Sequence, residues 1–230
     1  MEAIILAGGF GTRLREVVPD LPKPMAPIGG RPFLEILLAS LARKGMQRVI
    51  LSLGFLAEKI SAHFGDSFAG MALDYVVEHE PLGTGGAVRL AMTHCDADHV
   101  FVFNGDTFLD LEVGAVESHW QKRRHPIIVG REVPETARYG RLLIERGVVI
   151  GFSEKGATGL GTINAGCYVF NRDQLCDFAL AQFFSLEADY LARAVTEECF
   201  DLFPTKGHFI DIGVPEDYAR AQIVLRDFFS

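Results

Sequence analysis

Short runs of apolar residues alternate along the chain with longer stretches in which apolar residues recur every third or fourth position. EAIILA is followed by Phe33 to Lys44, RVILSL by Ala57 to Phe64, ALDYVVE by Ala87 to Met92, and HVFVFNGD by Val113 to Arg123. In each pair the first member has the spacing of a strand and the second that of a helix. Repetition of this order predicts an α/β fold with a mostly parallel sheet flanked by helices. Ile4 to Leu6, Val49 to Leu53 and Val100 to Phe103 are the near-continuous apolar runs expected of central strands buried on both faces.

After residue 124 the pattern changes. PIIVGRE, GRLLIERGVVIGFSEK and TINAGCYVFN read as strands and hairpins, with Arg146-Gly147 as a turn. They predict mixed or antiparallel strands beside the parallel core, forming a smaller lid over a ligand. SLEADYLARAVTE returns to helical spacing and GHFIDIGV reads as a strand. PEDYARAQIVLRDFF closes as a helix with Pro215 in its first turn. No repeat, low-complexity segment or linker interrupts the pattern, so one domain over 1–230 is expected.

With 230 residues, 49% of them hydrophobic, the chain buries a sizeable core unaided. Its formal charge of −8 argues against broad adhesion to nucleic acid or anionic lipid, which needs clustered lysine and arginine. An anionic small molecule stays compatible, because Arg13, Arg15, Lys23 and Arg31 gather in the first stretch. MEAIILAGG has no basic lead and is broken early by glycine, so neither a secretory signal nor a membrane span is expected, and the location expected is cytoplasmic. Cys95, Cys167, Cys176 and Cys199 lack C-x-x-C spacing and read as buried free thiols. His94 and His99 lack a partner motif for metal and read as surface histidines.

The stretch AGGFGTRLRE follows the first strand. Leu14 stands where a dinucleotide fingerprint needs its last glycine, and no Lys-Ser or Lys-Thr pair follows as in a P-loop. What fits is a glycine turn whose amides, with a helix start behind them and the Arg13 guanidinium beside them, bind phosphate. An ordinary tight turn with a surface arginine fits the loop equally well.

Ligands of open α/β sheets bind at the carboxyl ends of the strands. EPLGTGGA and NGDTFLD follow strands just as the glycine turn does, so all three are expected at one crevice. Asp106 ends an apolar strand, where a carboxylate is costly unless paired, and Asp211 in FIDIG repeats the situation. Opposite phosphate loops the natural partner is magnesium, which takes one or two carboxylates and phosphate oxygens; a turn-capping aspartate is the alternative. Lys23 lies between Pro22 and Pro24, which hold it on a stiff, extended segment suited to positioning phosphate. Gly83, Gly85 and Gly86 permit close backbone approach to a flat base or a sugar. Glu154, Lys155 and Asn164 have the chemistry to bind sugar hydroxyls and a phosphate, or else are a surface ion pair and a turn asparagine.

Taken in order, LAGGFGTRLR, LPKPMAPIGGRPFLE, EPLGTGGA, NGDT, FSEKG, INAGCYVF and FIDIGVPEDY resemble the sugar-1-phosphate nucleotidyltransferases over nearly the whole chain. REVVPDLPKPMAPIGGRPFLE with INAGCYV is most similar to the D-glycero-α-D-manno-heptose 1-phosphate guanylyltransferases. The resemblance implies a Rossmann-like, GT-A-like domain. About 1–110 would hold a nucleoside triphosphate, GTP being favoured, and about 125–215 a sugar 1-phosphate. Leu6, Ala7, Gly8, Gly9, Gly11, Thr12 and Arg13 would hold the triphosphate, and Arg13 with Lys23 would neutralise charge at the α-phosphate. Glu80, Gly83, Thr84 and Gly85 would line base and ribose. Asp106 and Asp211 would hold Mg2+. Asn104, Gly140, Glu154, Lys155, Asn164 and Asp211 would face the sugar phosphate.

The implied chemistry is in-line attack of the sugar phosphate on the α-phosphorus with pyrophosphate leaving, making GDP-heptose for bacterial surface polysaccharide. The attacking phosphate is already ionised, so positioning and neutralisation suffice, which agrees with the lack of a Ser-His or Cys-His arrangement. A uridylyl-, thymidylyl- or cytidylyltransferase acting on a hexose or amino-sugar 1-phosphate is the alternative within the class. A non-catalytic nucleotide-sugar sensor is the alternative outside it, with a dinucleotide oxidoreductase further off because its fingerprint is broken. Larger relatives carry a C-terminal β-helix domain whose functions are not expected here. Phe228 and Phe229 read either as an interface between copies of the chain or as a cap on the core.

Overall fold

A computed structural model describes residues 1–9, 14, 18–19, 21–153, 156 and 158–226. In chain order the elements begin with β1 (Glu2–Leu6), β2 (Pro27–Ile28), β3 (Arg31–Pro32), α1 (Phe33–Arg43), β4 (Arg48–Leu53), α2 (Ala57–Phe64), β5 (Ser67–Phe68) and β6 (Met71–Val77). They continue with α3 (Gly83–Ala91), β7 (His99–Asn104), β8 (Thr107–Leu109), α4 (Val113–Arg123), β9 (Ile127–Val133), β10 (Leu142–Glu145), β11 (Val148–Phe152) and β12 (Gly161–Asn171). A π-helical turn (Leu186–Leu191), α5 (Ala192–Glu197), β13 (Phe200–Thr205), β14 (Phe209–Asp211) and α6 (Pro215–Val224) complete the described chain.

Ten strands form one sheet in the order β10-β11-β13-β9-β12-β7-β1-β4-β6-β5. β7, β1, β4 and β6 are parallel, with Ile5 opposite both Leu51 and Phe103. Side chains alternate across this core. Ile5, Leu51 and Phe101 pack under α1, α2 and α4, while Ile4, Ile50 and Val102 pack under α3 and α5. That two-sided burial is why these runs carry no apolar-polar alternation. Each such side chain contributes about 1.5–3 kcal/mol of hydrophobic stabilisation.

After residue 124 the expected mixed strands stand beside the parallel core, and they do so within one continuous sheet. β12 joins β7 antiparallel, β9 joins β12 antiparallel, and β13 inserts beside β9 in parallel, so the later strands extend the same sheet. The reason is that Tyr168, Phe170 and Phe200 are fully buried and need the layer that α3 and α5 provide. β13 carries Pro204 and has no clear alternation, which hid it in the sequence. The β10–β11 hairpin turns at Arg146-Gly147 as expected, both at positive φ. α6 starts at Pro215 as expected, and β14 is a short strand paired with β8.

All four cysteines are free, but only Cys95 and Cys167 are buried. Cys176 and Cys199 are exposed, because they fall in the connections after β12 and before β13. His99 is buried, contrary to expectation: its ring stacks on Trp120 at 3.8 Å and its nitrogens lie 2.7 Å from Asp98 and Glu117. His94 is half-exposed beside Asp74. Among the described residues no helix is long and apolar enough to cross a membrane. Phe228 and Phe229 lie outside the described residues.

Candidate functional site

A cavity of about 560 Å3 opens at the carboxyl ends of β1, β4, β6 and β7, within the range of small-molecule sites. Its walls are the segments that leave those four strands: Leu6 to Gly9, Ser52 with Gly54 and Phe55, Glu78 to Thr84, and Asn104 to Asp106. The crevice expected from strand order is therefore real, and it gathers Leu6, Ala7, Gly8, Gly9, Lys23, Glu80, Gly83, Thr84, Asn104 and Asp106. Gly11, Thr12, Arg13 and Arg15 lie outside the described residues. Arg31 takes no part in the described wall: its Nε lies 3.9 Å from Glu35.

Asn104 passes to Asp106 through Gly105, whose amide donates to the Leu6 carbonyl at 3.0 Å. A Cβ on Gly105 would collide with that carbonyl, so only glycine lets β7 turn this close to β1. The turn delivers Asp106 to Lys23, whose Nζ donates to Asp106 Oδ2 at 2.6 Å. Lys23 sits in a single 3-10 turn, Lys23–Met25, rather than on an extended segment. Two turn hydrogen bonds, Met25 N to the Pro22 carbonyl and Ala26 N to the Lys23 carbonyl, close it. Pro24 stands in the first turn, where a missing N–H costs nothing.

Asp211 reaches the same place from the far end of the chain. β14 pairs with β8 so that Asp211 stands opposite Thr107, and the Ile212 amide donates to the Asp106 carbonyl at 2.9 Å. Burial pushes the Asp211 carboxyl above its usual value, and the negative charge of Asp106 pushes it further. Two carboxylates close enough for the charge of Asp106 to raise that of Asp211, with the Lys23 ammonium on Asp106, fit a divalent cation. The wall points the same way: among its described residues Lys23 is the one lysine or arginine against Glu78, Glu80 and Asp106. A bound polyphosphate therefore needs positive charge beyond Lys23.

The glycine-rich start of α3 permits the close backbone approach expected of it, and a segment of the protein itself makes that approach. Phe184 N donates to the Leu82 carbonyl, and Gly85 N donates to the Phe184 carbonyl, both at 3.0 Å. A Cβ on Gly85 would enter the Phe184 ring, and one on Gly83 or Gly86 would strike the carbonyl of Phe184 or Gln182. These glycines admit another segment of the protein. Gly83 and Thr84 still line the cavity, whereas Gly85 is buried behind it with its amide already used. The docked segment places Phe183, 69% exposed, on the cavity wall.

Sequence reasoning missed Phe183, whose neighbours give no motif. It also missed Glu78, which lines the cavity and accepts from Leu82 N at 2.9 Å. Burial raises the Glu78 carboxyl, and the Leu82 amide partly offsets this. The signal was present: Glu78 is an acid at the end of an apolar strand, as Asp106 is.

Asn104 and Asn164 converge at Gly166. The Gly166 amide donates to Asn164 Oδ1 at 3.1 Å, and its α-carbon faces the Asn104 side chain. Asn164 Nδ2 donates to the Tyr168 hydroxyl and to Glu187. Gly140 lies against the Ser153 carbonyl, directly before Glu154 and Lys155, which are outside the described residues.

The chain matches the family model described as nucleotidyl transferase over residues 2–227. It is 39% identical to a curated D-glycero-alpha-D-manno-heptose 1-phosphate guanylyltransferase of Aneurinibacillus thermoaerophilus, over 99% of this chain and 100% of that one. The same curated name in Campylobacter jejuni goes with 39% identity over 95% of this chain and 97% of the relative. HddC from Yersinia pseudotuberculosis superposes with a TM-score of 0.87 at 38% identity, covering 100% of this chain and 99% of HddC. HddC has also been solved in complex with GMP-PN. A cavity at the switch of an open α/β sheet and a match across the whole length agree: this chain belongs to the nucleotidyl transferase family.

Proposed function

We propose that the chain transfers a guanylyl group from GTP to D-glycero-α-D-manno-heptose 1-phosphate, giving GDP-heptose and pyrophosphate. The observation that carries this reading is the end-to-end 39% identity with a curated enzyme of that activity. The complex of HddC with GMP-PN supports a guanine nucleotide as donor. In this reading the chain acts as one domain, with a nucleotide half over about 1–110 and a sugar-phosphate half over about 125–215.

The triphosphate lies along Leu6 to Gly9, continuing onto Gly11, Thr12 and Arg13. Base and ribose rest against Glu80, Gly83 and Thr84, and Gly85 acts indirectly by holding the Phe184 segment in place. Asn104, Gly140, Glu154, Lys155 and Asn164 face the sugar phosphate. Lys23 is held by Asp106 where its ammonium can meet the α-phosphate. Asp106 and Asp211 hold Mg2+, which when bound supplies charge neutralisation and orients phosphate oxygens. The residues position two anions for in-line attack, and no protein nucleophile is required.

The test is pyrophosphate release from purified protein with Mg2+, offering GTP, CTP, UTP, dTTP and ATP against heptose, mannose and glucose 1-phosphates. Release confined to GTP with heptose 1-phosphate is the expected result. Release with another pair would overturn the specificity and keep the mechanism, and silence from folded protein would favour a nucleotide-sugar sensor.

A further inference from the structure

At the opposite end of the sheet from the cavity lies a second cluster of metal-competent side chains. β9 and β13 run in the same direction as β1 and β7, so the residues that open them sit at the amino end. Asp201, at the start of β13, is 2% exposed. Cys199 precedes it by two positions and so shares its side of the strand, with the fully buried Phe200 pointing the other way. His125, in the connection from α4 to β9, is brought alongside by the Asp201 amide, which donates to the Pro126 carbonyl at 2.9 Å.

The donor atoms of His125, Cys199 and Asp201 all lie within 4.8 Å of one another. His125 Nδ1 is 3.4 Å from Asp201 Oδ1, and Cys199 Sγ is 3.9 Å from the same oxygen. A tetrahedral ion with bonds of about 2.0–2.3 Å sets its ligands about 3.3–3.7 Å apart, so two edges are already close to closed. A thiol, an imidazole and a carboxylate form a set that suits zinc-like ions and poorly suits magnesium. His119 and Arg123, four residues apart on α4, also face Asp201: His119 Nε2 lies 2.9 Å from Oδ2, and Arg123 donates to both carboxylate oxygens. The Arg123 side chain is 49% exposed and has solvent to move into.

We propose that His125, Cys199 and Asp201 bind a transition-metal dication of the zinc type, the fourth position being open to solvent, with Arg123 holding the Asp201 charge in the metal-free protein. Binding forms a metal–sulfur bond and releases the Cys199 thiol proton to solvent. The ion joins the α4–β9 connection to β13, two segments separated by more than seventy residues, and leaves the cavity untouched.

The experiment titrates the full chain with Zn2+ in excess Mg2+, using a chromophoric chelator as competitor, and repeats it with Co2+ to read the thiolate-to-cobalt charge-transfer band. One equivalent is expected, with the band present. Cys199→Ser and His125→Ala, each shown folded by circular dichroism, should weaken binding by about 100-fold or more, against the 10–100-fold typical of losing a supporting residue. Arg123→Gln, which removes the competing cation, should tighten it, and Asp106→Asn should leave it unchanged. No binding by folded protein, zinc affinity unaltered by Cys199→Ser and His125→Ala, or zinc lost with Asp106→Asn would each overturn the proposal.

Discussion

Lys23 Nζ and Asp106 Oδ2 meet at 2.6 Å although 83 residues separate them, and Lys23 keeps only 13% of its side chain exposed. The pair fixes the ammonium at the mouth of the cavity. Lys23→Ala and Asp106→Asn should each lower turnover by about 10²-fold or more, as for loss of one electrostatic stabiliser. Steady-state kinetics on variants with wild-type circular dichroism checks this, and a fall below tenfold would refute it.

The β8–β14 pair sets Asp211 beside Asp106, whose charge raises the Asp211 carboxyl, an arrangement that suits a bound cation. Chelation with EDTA should abolish pyrophosphate release and added Mg2+ should restore it. In Asp211→Asn the Mg2+ concentration for half-maximal rate should rise by about tenfold or more, since one of very few protein ligands is gone. A magnesium titration of the rate reads both.

Phe183 stands on the cavity wall with most of its ring exposed. Stacking of a base on an aromatic ring contributes about 1–3 kcal/mol. Phe183→Ala should therefore raise KM for GTP about five- to hundredfold with a smaller change in kcat. Phe183→Tyr should restore most of the loss, and unchanged KM in Phe183→Ala would remove Phe183 from the site.

Gly85 donates to the Phe184 carbonyl, and any Cβ there would overlap the Phe184 ring. Gly85→Ala should cost about 1–3 kcal/mol through overpacking. For a chain of this size that lowers Tm by about 2–12 °C, with weakened GTP binding as the 182–186 segment shifts. Thermal unfolding and a binding titration on the same variant separate the two effects.

Glu2 and Arg48 stand opposite each other in the β1–β4 ladder, with Arg48 Nη1 donating to Glu2 Oε1 at 2.8 Å. Burial opposes the charged Glu2 carboxyl, but the amides of Ala97 and Asp96 together with Arg48 outweigh it and hold it below the ordinary value. The resulting stability is complete above about pH 4.3, the unfolded value, and is lost as pH falls through the lower folded one. Glu2→Gln should cost about 1–3 kcal/mol at pH 7. The Tm difference from wild type should shrink as pH is taken progressively below the unfolded value, and a constant difference would refute the assignment.

The parallel core was legible because its strands are buried on both faces, and that burial leaves near-continuous apolar runs in the sequence. The crevice was legible for a related reason: polar and glycine residues directly after such runs must lie at strand ends. Asp106 was found this way and Glu78 carries the same mark, whereas Lys23 stood out through the prolines on either side of it. Phe183 was not legible, because its position depends on a contact between residues 182–186 and α3 that leaves no local pattern.

By itself, then, the sequence determined the alternating strands and helices of the parallel core and the carboxylates and glycines that follow those strands, since these depend on local periodicity and on the cost of ending an apolar run with a charge. Tertiary structure decided what those residues meet. It set Asp211 beside Asp106 through the β8–β14 pair and packed the 182–186 segment against the α3 glycines, leaving Gly83 on the cavity wall. It also joined the expected mixed strands to the parallel core as one continuous sheet. Such outcomes depend on contacts between segments about a hundred residues apart in the chain, whose geometry no local spacing encodes.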